Sequence, residues 1–90
     1  MISVKLPTLL RERAGGRPEV QSDGATLGQL LGTLEERYPG LTTGLLEDDG
    51  TLRRHVNVYV NGEDVRYTGA LETELSDGDT VSILPAVAGG

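Results

Sequence analysis

A single stripe of leucines limits this chain more than any other feature. Leu27, Leu30, Leu31 and Leu34 stand at i, i+3, i+4 and i+7, the spacing that aligns side chains on one face of an α-helix. Thr26, followed three residues later by Gln29, has the spacing of a capping box, in which two side chains satisfy backbone N–H groups at a helix start. Tyr38 lies one further turn along the stripe, Glu35, Glu36 and Arg37 fall on the face expected to meet water, and Pro39-Gly40 stops the helix. One helix with one apolar stripe has to be covered by one sheet. The 90 residues leave no room for a second core, because a chain this short buries only roughly 60–65% of its unfolded surface.

The flanking segments supply the sheet. Ile2, Val4 and Leu6 alternate with Ser3 and Lys5, the period of a half-buried strand, and Pro7 ends its regular pairing. Leu9, Leu10 and the polar stretch 11–17, which contains Gly15-Gly16, predict a hairpin connection into a second strand around residues 19–21. Residues 41–52 place Gly44, Asp48, Asp49 and Gly50 among four leucines and predict a connection with a short helical turn and an exposed acidic loop. Val56, Val58 and Val60 then alternate with Asn57 and Tyr59, and Asn61-Gly62 is the dipeptide favoured where both turn positions need positive φ. A short return through Val65 is expected. Beyond Leu71 and Leu75, an Asp77-Gly78-Asp79 turn leads to a last strand through Val81, Ile83 and Leu84. This order predicts an α+β domain, a mixed sheet of four to five strands curled around one main helix. Residues 1–84 form the expected folded unit and residues 85–90 a tail.

Composition excludes several kinds of chemistry. There is no cysteine, so the chain forms neither a disulfide framework nor a thiolate metal site and is not its own sulfur nucleophile. The start, Met1-Ile2-Ser3-Val4-Lys5, reads directly as a strand, without the basic and apolar runs of a leader. No stretch approaches the roughly 20 apolar residues of a membrane span. A soluble cytoplasmic protein is the expectation. The net charge of −6 is uneven: residues 1–45 hold five acids and five bases, residues 46–90 nine acids and three bases. Read along the chain, that imbalance predicts repulsion of nucleic acid and a field near the tail that favours a basic protein partner.

The familiar catalytic and ligand-binding patterns are missing. Gly15-Gly16 lacks the Lys and Ser or Thr of a phosphate loop and does not open a helix. Asp48-Asp49-Gly50 lacks the alternating oxygen ligands of a calcium loop. His55 is the one histidine, with no cysteine to complete a metal set, and reads as a strand-edge residue. Glu63-Asp64 and Glu72 with Glu74 read as surface charge, since acid and base roles need a pocket that splits their pKa values. Tyr38, Tyr59 and Tyr67 are too few for a stacking surface and are expected on the sheet rim.

What remains is the terminus. Two final glycines arise by chance in about one chain in 200 at average usage; here they close a segment, Pro85-Ala86-Val87-Ala88-Gly89-Gly90, that follows the last strand. Glycine has no Cβ, so such backbone enters a narrow channel that a side chain would block. Six residues extend to about 20 Å at roughly 3.3–3.6 Å each, enough for a partner to dock the globule while working on the carboxylate.

Val56-Asn57-Val58-Tyr59-Val60-Asn61-Gly62-Glu63-Asp64-Val65-Arg66, then Asp77-Gly78-Asp79-Thr80-Val81-Ser82-Ile83-Leu84-Pro85 and the final Ala88-Gly89-Gly90, resemble the MoaD/ThiS family of ubiquitin-like, β-grasp sulfur carriers, and the likeness spans the chain. The ending Ala86-Val87-Ala88-Gly89-Gly90 looks most like the CysO branch, the actinobacterial carriers of cysteine biosynthesis. The resemblance implies a carrier rather than an enzyme. An E1-like partner would use Mg-ATP to adenylate the Gly90 carboxylate, and a sulfur donor would replace AMP to leave a thiocarboxylate. Gly89 would be the slim approach to Gly90, and Pro85, Ala86, Val87 and Ala88 the tail contacts. The sulfur acceptor would be a cysteine synthase-like enzyme using pyridoxal phosphate, followed by a metallopeptidase; in relatives it is a molybdopterin, thiazole or thiosugar synthase. The chain itself is expected to bind no cofactor or metal, no nucleic acid and no membrane. Two other classes remain open: a modifier joined to proteins through Gly90, and a plain binding module with an idle tail.

Overall fold

The chain opens and closes with strands that lie side by side. In the computed structural model, which describes residues 1–53 and 56–85, β1 (Ile2–Lys5) pairs parallel with β5 (Thr80–Pro85), bringing Val4 opposite Val81 and Lys5 opposite Ser82. On its other side β1 pairs antiparallel with β2 (Glu19–Ser22). β5 pairs antiparallel with β3 (Val56–Val60), which turns back into β4 (Glu63–Asp64). The sheet order is β2-β1-β5-β3-β4, so the last strand of the chain occupies the centre. This is the mixed sheet expected from the sequence, with five strands, and the arrangement is the β-grasp.

The alternation in each strand decides which face is covered. Ile2, Val4, Val20, Val56, Val58, Val81 and Ile83 are buried, whereas Lys5, Glu19 and Gln21 are exposed. The buried set packs against the long helix α2 (Leu27–Arg37), whose Leu27, Leu30, Leu31 and Leu34 are at most 2% exposed. Burying each such leucine contributes roughly 1.5–3 kcal/mol. The helix start follows the expected chemistry: the Gln29 N–H donates to Thr26 Oγ1 at 3.3 Å, and Gln29 Oε1 accepts from the Ala25 N–H at 3.0 Å. The reciprocal bond thus falls one residue before the cap. At the other end Tyr38 caps the helix, its N–H donating to the Leu34 carbonyl.

Three connections differ from expectation. Residues 8–14 are helical: a short helix α1 (Thr8–Arg11) runs into a 3-10 turn (Glu12–Ala14), closed by Gly15 at φ 69°. Pro7 starts that helix without a backbone N–H to satisfy, and buried Ala14 ties the turn to the core. The return after Asn61-Gly62 stops at Asp64, because the Asp64 carboxylate accepts from the Arg66 N–H and draws Val65–Tyr67 into a 3-10 turn. The turn itself is as expected, with φ of 52° at Asn61 and 87° at Gly62. Finally, Glu35 does not simply face water. Its carboxylate accepts from Gly40 N–H, Thr42 N–H and the buried Thr42 hydroxyl, and so folds the chain after α2 back against the helix. Those bonds, Gly40 foremost and the Thr42 hydroxyl next, hold the Glu35 carboxyl below its ordinary pKa.

Candidate functional site

β5 decides where the C-terminal segment leaves the molecule. Val81 and Ile83 point into the core, while half-buried Ser82 and exposed Leu84 face the other side of the sheet. The strand is held on both sides, through Lys5 opposite Ser82 on β1 and Asn57 opposite Leu84 on β3. Its pairing continues to Pro85, which lies opposite Val56. The pairing with β1 ends at Ser82, so the last residues of the strand, Ile83 to Pro85, are held by β3 alone. Ala86, Val87, Ala88, Gly89 and Gly90 lie outside the described residues, as does His55.

The other candidate sites resolve into structure. Gly15-Gly16 forms a turn with positive φ at both residues. Asp49 accepts from the Thr51 hydroxyl and N–H, a local loop closure that lowers its pKa, the hydroxyl bond being the larger cause. Glu63 and Asp64 form one arm of a hairpin, while Glu74 sits in a bridge with Thr26. Among the described residues no cluster of His, Cys, Asp or Glu is placed to hold a metal, and no helix is long and apolar enough to cross a membrane. The tyrosines are not a rim layer: Tyr67 is 87% exposed, and Tyr38 packs at the end of α2 with the Arg37 guanidinium 5.5 Å from its ring centre. Tyr59 alone lies half-buried on the sheet.

Among the described residues the charges are unevenly placed about β5. The acids gather where β5 begins. Asp79 accepts from the Ser76 N–H and the Asn61 amide, which lower its pKa in that order. Asp23 and Asp77 both pair with the Met1 ammonium, and Glu63 lies opposite Val60, itself opposite Val81. Where β5 ends, the surroundings carry bases. Arg66 donates to Asn57 Oδ1 and to the Val56 carbonyl, the two positions opposite Leu84 and Pro85. On the β1 side a groove of about 550 Å³ is lined by Lys5, Leu6, Pro7, Leu9, Arg11 and Leu84, among others, with no carboxylate side chain among the described residues that line it. Glu19 opposite Lys5, Glu47 paired with Arg53 at 3.4 Å and Asp64 paired with Arg66 at 3.9 Å are acids near that end. Sequence reasoning missed this groove; its one signal was the Leu9-Leu10 pair in an otherwise polar stretch.

Comparison with known proteins gives the same picture. Residues 4–90 match the ThiS family. The sulfur carrier protein CysO of Mycobacterium tuberculosis is 48% identical over 99% of this chain and 98% of its own length. A crystal structure of the BexX/CysO complex of Amycolatopsis orientalis superposes with a TM-score of 0.94 at 47% identity, covering 100% of both chains. Small archaeal modifier protein 3 of Haloferax volcanii is 48% identical over 76% of this chain and 73% of its own. With a β-grasp body whose central strand is the last of the chain's strands, and with near-full-length matches, this chain is a member of the MoaD/ThiS family and is similar to its CysO proteins.

Proposed function

We propose that the chain is a sulfur carrier whose reactive group is the Gly90 carboxylate, with residues 1–84 as the docking body and residues 85–90 as the tail. The observation that supports this reading is the central position of β5, the strand that the Gly-Gly tail follows in the sequence. The alternatives within the body are weak, because its other candidate sites are turns, caps and paired surface charges.

The chemistry follows from the carboxylate itself. A carboxylate is a poor electrophile and its oxygen leaves badly; making it an acyl phosphate anhydride removes both obstacles. A carboxylate oxygen of Gly90 attacks the α-phosphorus of Mg-ATP in the activating partner, pyrophosphate leaves, and a hydrosulfide equivalent then attacks the carbonyl to expel AMP. The resulting thiocarboxylate is ionised at neutral pH and holds nucleophilic sulfur on a tether. ATP and magnesium belong to the activating partner. We place the acceptor in cysteine formation, where a pyridoxal phosphate enzyme receives the sulfur and a metallopeptidase frees the product, in the cytoplasm; the likeness to CysO supports this branch over molybdopterin, thiazole or thiosugar synthesis. A second reading, a protein modifier joined through Gly90, is favoured by the likeness to an archaeal protein named a modifier. The sole lysine, Lys5, is exposed but offers only one branching point.

Mass spectrometry after incubation with Mg-ATP, the activating enzyme of the same organism and a sulfide source should show a rise of about 16 Da, oxygen replaced by sulfur. A chain that stays at its starting mass refutes the carrier reading. Protein adducts in cells that disappear without Gly90 select the modifier.

A further inference from the structure

We infer that the outer edge of β2 is a docking site for an extended segment of a partner protein, which adds parallel to β2 and sets a carboxylate side chain opposite Ser22. Such a site lies outside the carrier chemistry and does not depend on it. β2 ends the sheet order β2-β1-β5-β3-β4, so one side of it is unpaired. The ladder to β1 shows which backbone groups face outward. The Leu6 N–H donates to the Pro18 carbonyl, and in an antiparallel pair directly bonded positions alternate with unbonded ones. Val4 opposite Val20 and Ile2 opposite Ser22 are then bonded pairs, whereas Glu19 and Gln21 turn their N–H and C=O groups away from β1. The Ser3 N–H, opposite Gln21, has the matching phase, since it donates to the Asp79 carbonyl on the far side of β1.

Arg37 decides which strand direction fits. Its guanidinium donates to the Gln21 carbonyl at 2.8 Å and so occupies one outward group. The Gln21 N–H and both backbone groups of Glu19 have no partner among the described residues. An antiparallel strand bonds the N–H and C=O of one residue together, and to pair with Gln21 it would have to displace Arg37. A parallel strand would not: one partner residue, opposite Val20, donates to the Glu19 carbonyl and accepts from the Gln21 N–H. Two copies of β2 meeting about a two-fold axis run antiparallel, so the same guanidinium disfavours self-pairing.

Ser22 gives the chemistry. It is 3% exposed, and its hydroxyl is buried without a hydrogen-bond partner among the described residues. Ser22 lines a cleft of about 380 Å³ between β2 and the end of α2, which Arg17, Arg37 and Tyr38 also border. Opposite residues of neighbouring strands point to the same face, so the partner side chain opposite Ser22 enters this cleft. A carboxylate there accepts from the Ser22 hydroxyl and pairs with the Arg37 guanidinium, and such charge-assisted bonds are stronger than neutral ones. Of the acids on the border, Glu19 alternates to the opposite face and Asp23 is paired with the Met1 ammonium. An unpaired buried hydroxyl costs stability, and the incoming carboxylate relieves that cost. β1 separates this edge from β5, so a strand bound here leaves the C-terminal segment free to engage a second protein.

The test titrates the isotope-labelled full chain with a blocked peptide of alternating threonine and valine, lysine at each end for solubility, and one aspartate in the row that faces the cleft. NMR reads amide shifts and hydrogen exchange. At saturating peptide the Glu19 and Gln21 amides should shift and exchange about tenfold more slowly, and a spin label on the peptide N-terminus should broaden Arg17 rather than Asp23. Asparagine in place of the aspartate should weaken binding about tenfold. Arg37→Gln should weaken the aspartate peptide by a similar factor and leave the asparagine peptide unchanged, the coupling expected of a direct pair. Ser22→Ala should weaken the aspartate peptide too, while the free chain melts about 4–8 °C higher for want of the unpaired hydroxyl. Glu63→Lys, on the opposite edge, should alter none of this. Undisturbed Glu19 and Gln21 amides at millimolar peptide, broadening at Asp23, or equal binding of the two peptides overturns the proposal. Gln21→Pro removes the outward N–H without touching the ladder to β1. Sedimentation showing dimers of the chain that this variant abolishes assigns the edge to a second copy and overturns it as well.

Discussion

Replacing glycine by alanine should have opposite effects at two positions, one before α2 and one within it. Gly24 precedes α2, and a Cβ there would lie 2.5 Å from the Leu30 backbone nitrogen and 2.9 Å from its Cα. Relief by sliding the loop is blocked. The Ala25 N–H is held by Gln29 Oε1, the Leu75 N–H donates to the Ala25 carbonyl, and the Leu27 N–H donates to the Thr73 carbonyl. The new methyl therefore pushes backbone against backbone, and overpacking of this kind costs about 1–3 kcal/mol. Gly32, in the exposed middle of α2, has nothing within 4 Å of its added Cβ. There alanine removes the entropic penalty of glycine in a helix and stabilises by about 0.5–1 kcal/mol. For a domain of this size each kcal/mol moves Tm by about 4–8 °C. Gly24→Ala should then melt roughly 4–24 °C lower and Gly32→Ala roughly 2–8 °C higher. Circular dichroism melts, with urea titrations to confirm unchanged m-values, measure both. A gain at position 24 or a loss at position 32 would show that the packing around α2 differs from the structure described above.

Two further outcomes follow from the tail and the carboxylates. Deleting Val87 shortens the tether by about 3.3–3.6 Å and should lower the adenylation rate roughly tenfold to a hundredfold, while Tm and docking hold; an unchanged rate would show that reach is not limiting. Glu35, Asp49 and Asp79 all have lowered pKa values, so the folded chain takes up protons less readily than the unfolded one. Stability should therefore be fully present above about pH 5 and fall as pH drops through the carboxylate range. Glu35→Gln should flatten part of that slope, and a Tm independent of pH between about 5 and 3 contradicts the assignment.

The parts of the fold legible from sequence were those written in short-range chemistry. The leucine stripe, the Thr26–Gln29 pair and Asn61-Gly62 each specify local geometry within a few residues. Residues 8–14 were misread because seven residues are too few for a helical period to declare itself, and because Leu9 is an apolar residue placed on the surface. Glu35 was misread since its partners, Gly40 and Thr42, lie beyond the helix end in a loop whose path depends on tertiary packing. The charge pattern was invisible for a geometrical reason. The chain reverses at each hairpin, so each half of the sequence contributes residues to both ends of the sheet, and a tally by halves averages the two ends together.

The place of β5 between a parallel and an antiparallel neighbour also fixes how the body answers a mechanical load. Force applied along the tail pulls β5 lengthwise against both ladders, whose bonds run across the strand direction. They are loaded in shear and have to yield together, unlike a hairpin peeled from its end one bond at a time. A pull along the strand thus meets its paired neighbours together over Val81 and Ser82, so that the body resists as a unit once the last three residues of β5 are loaded.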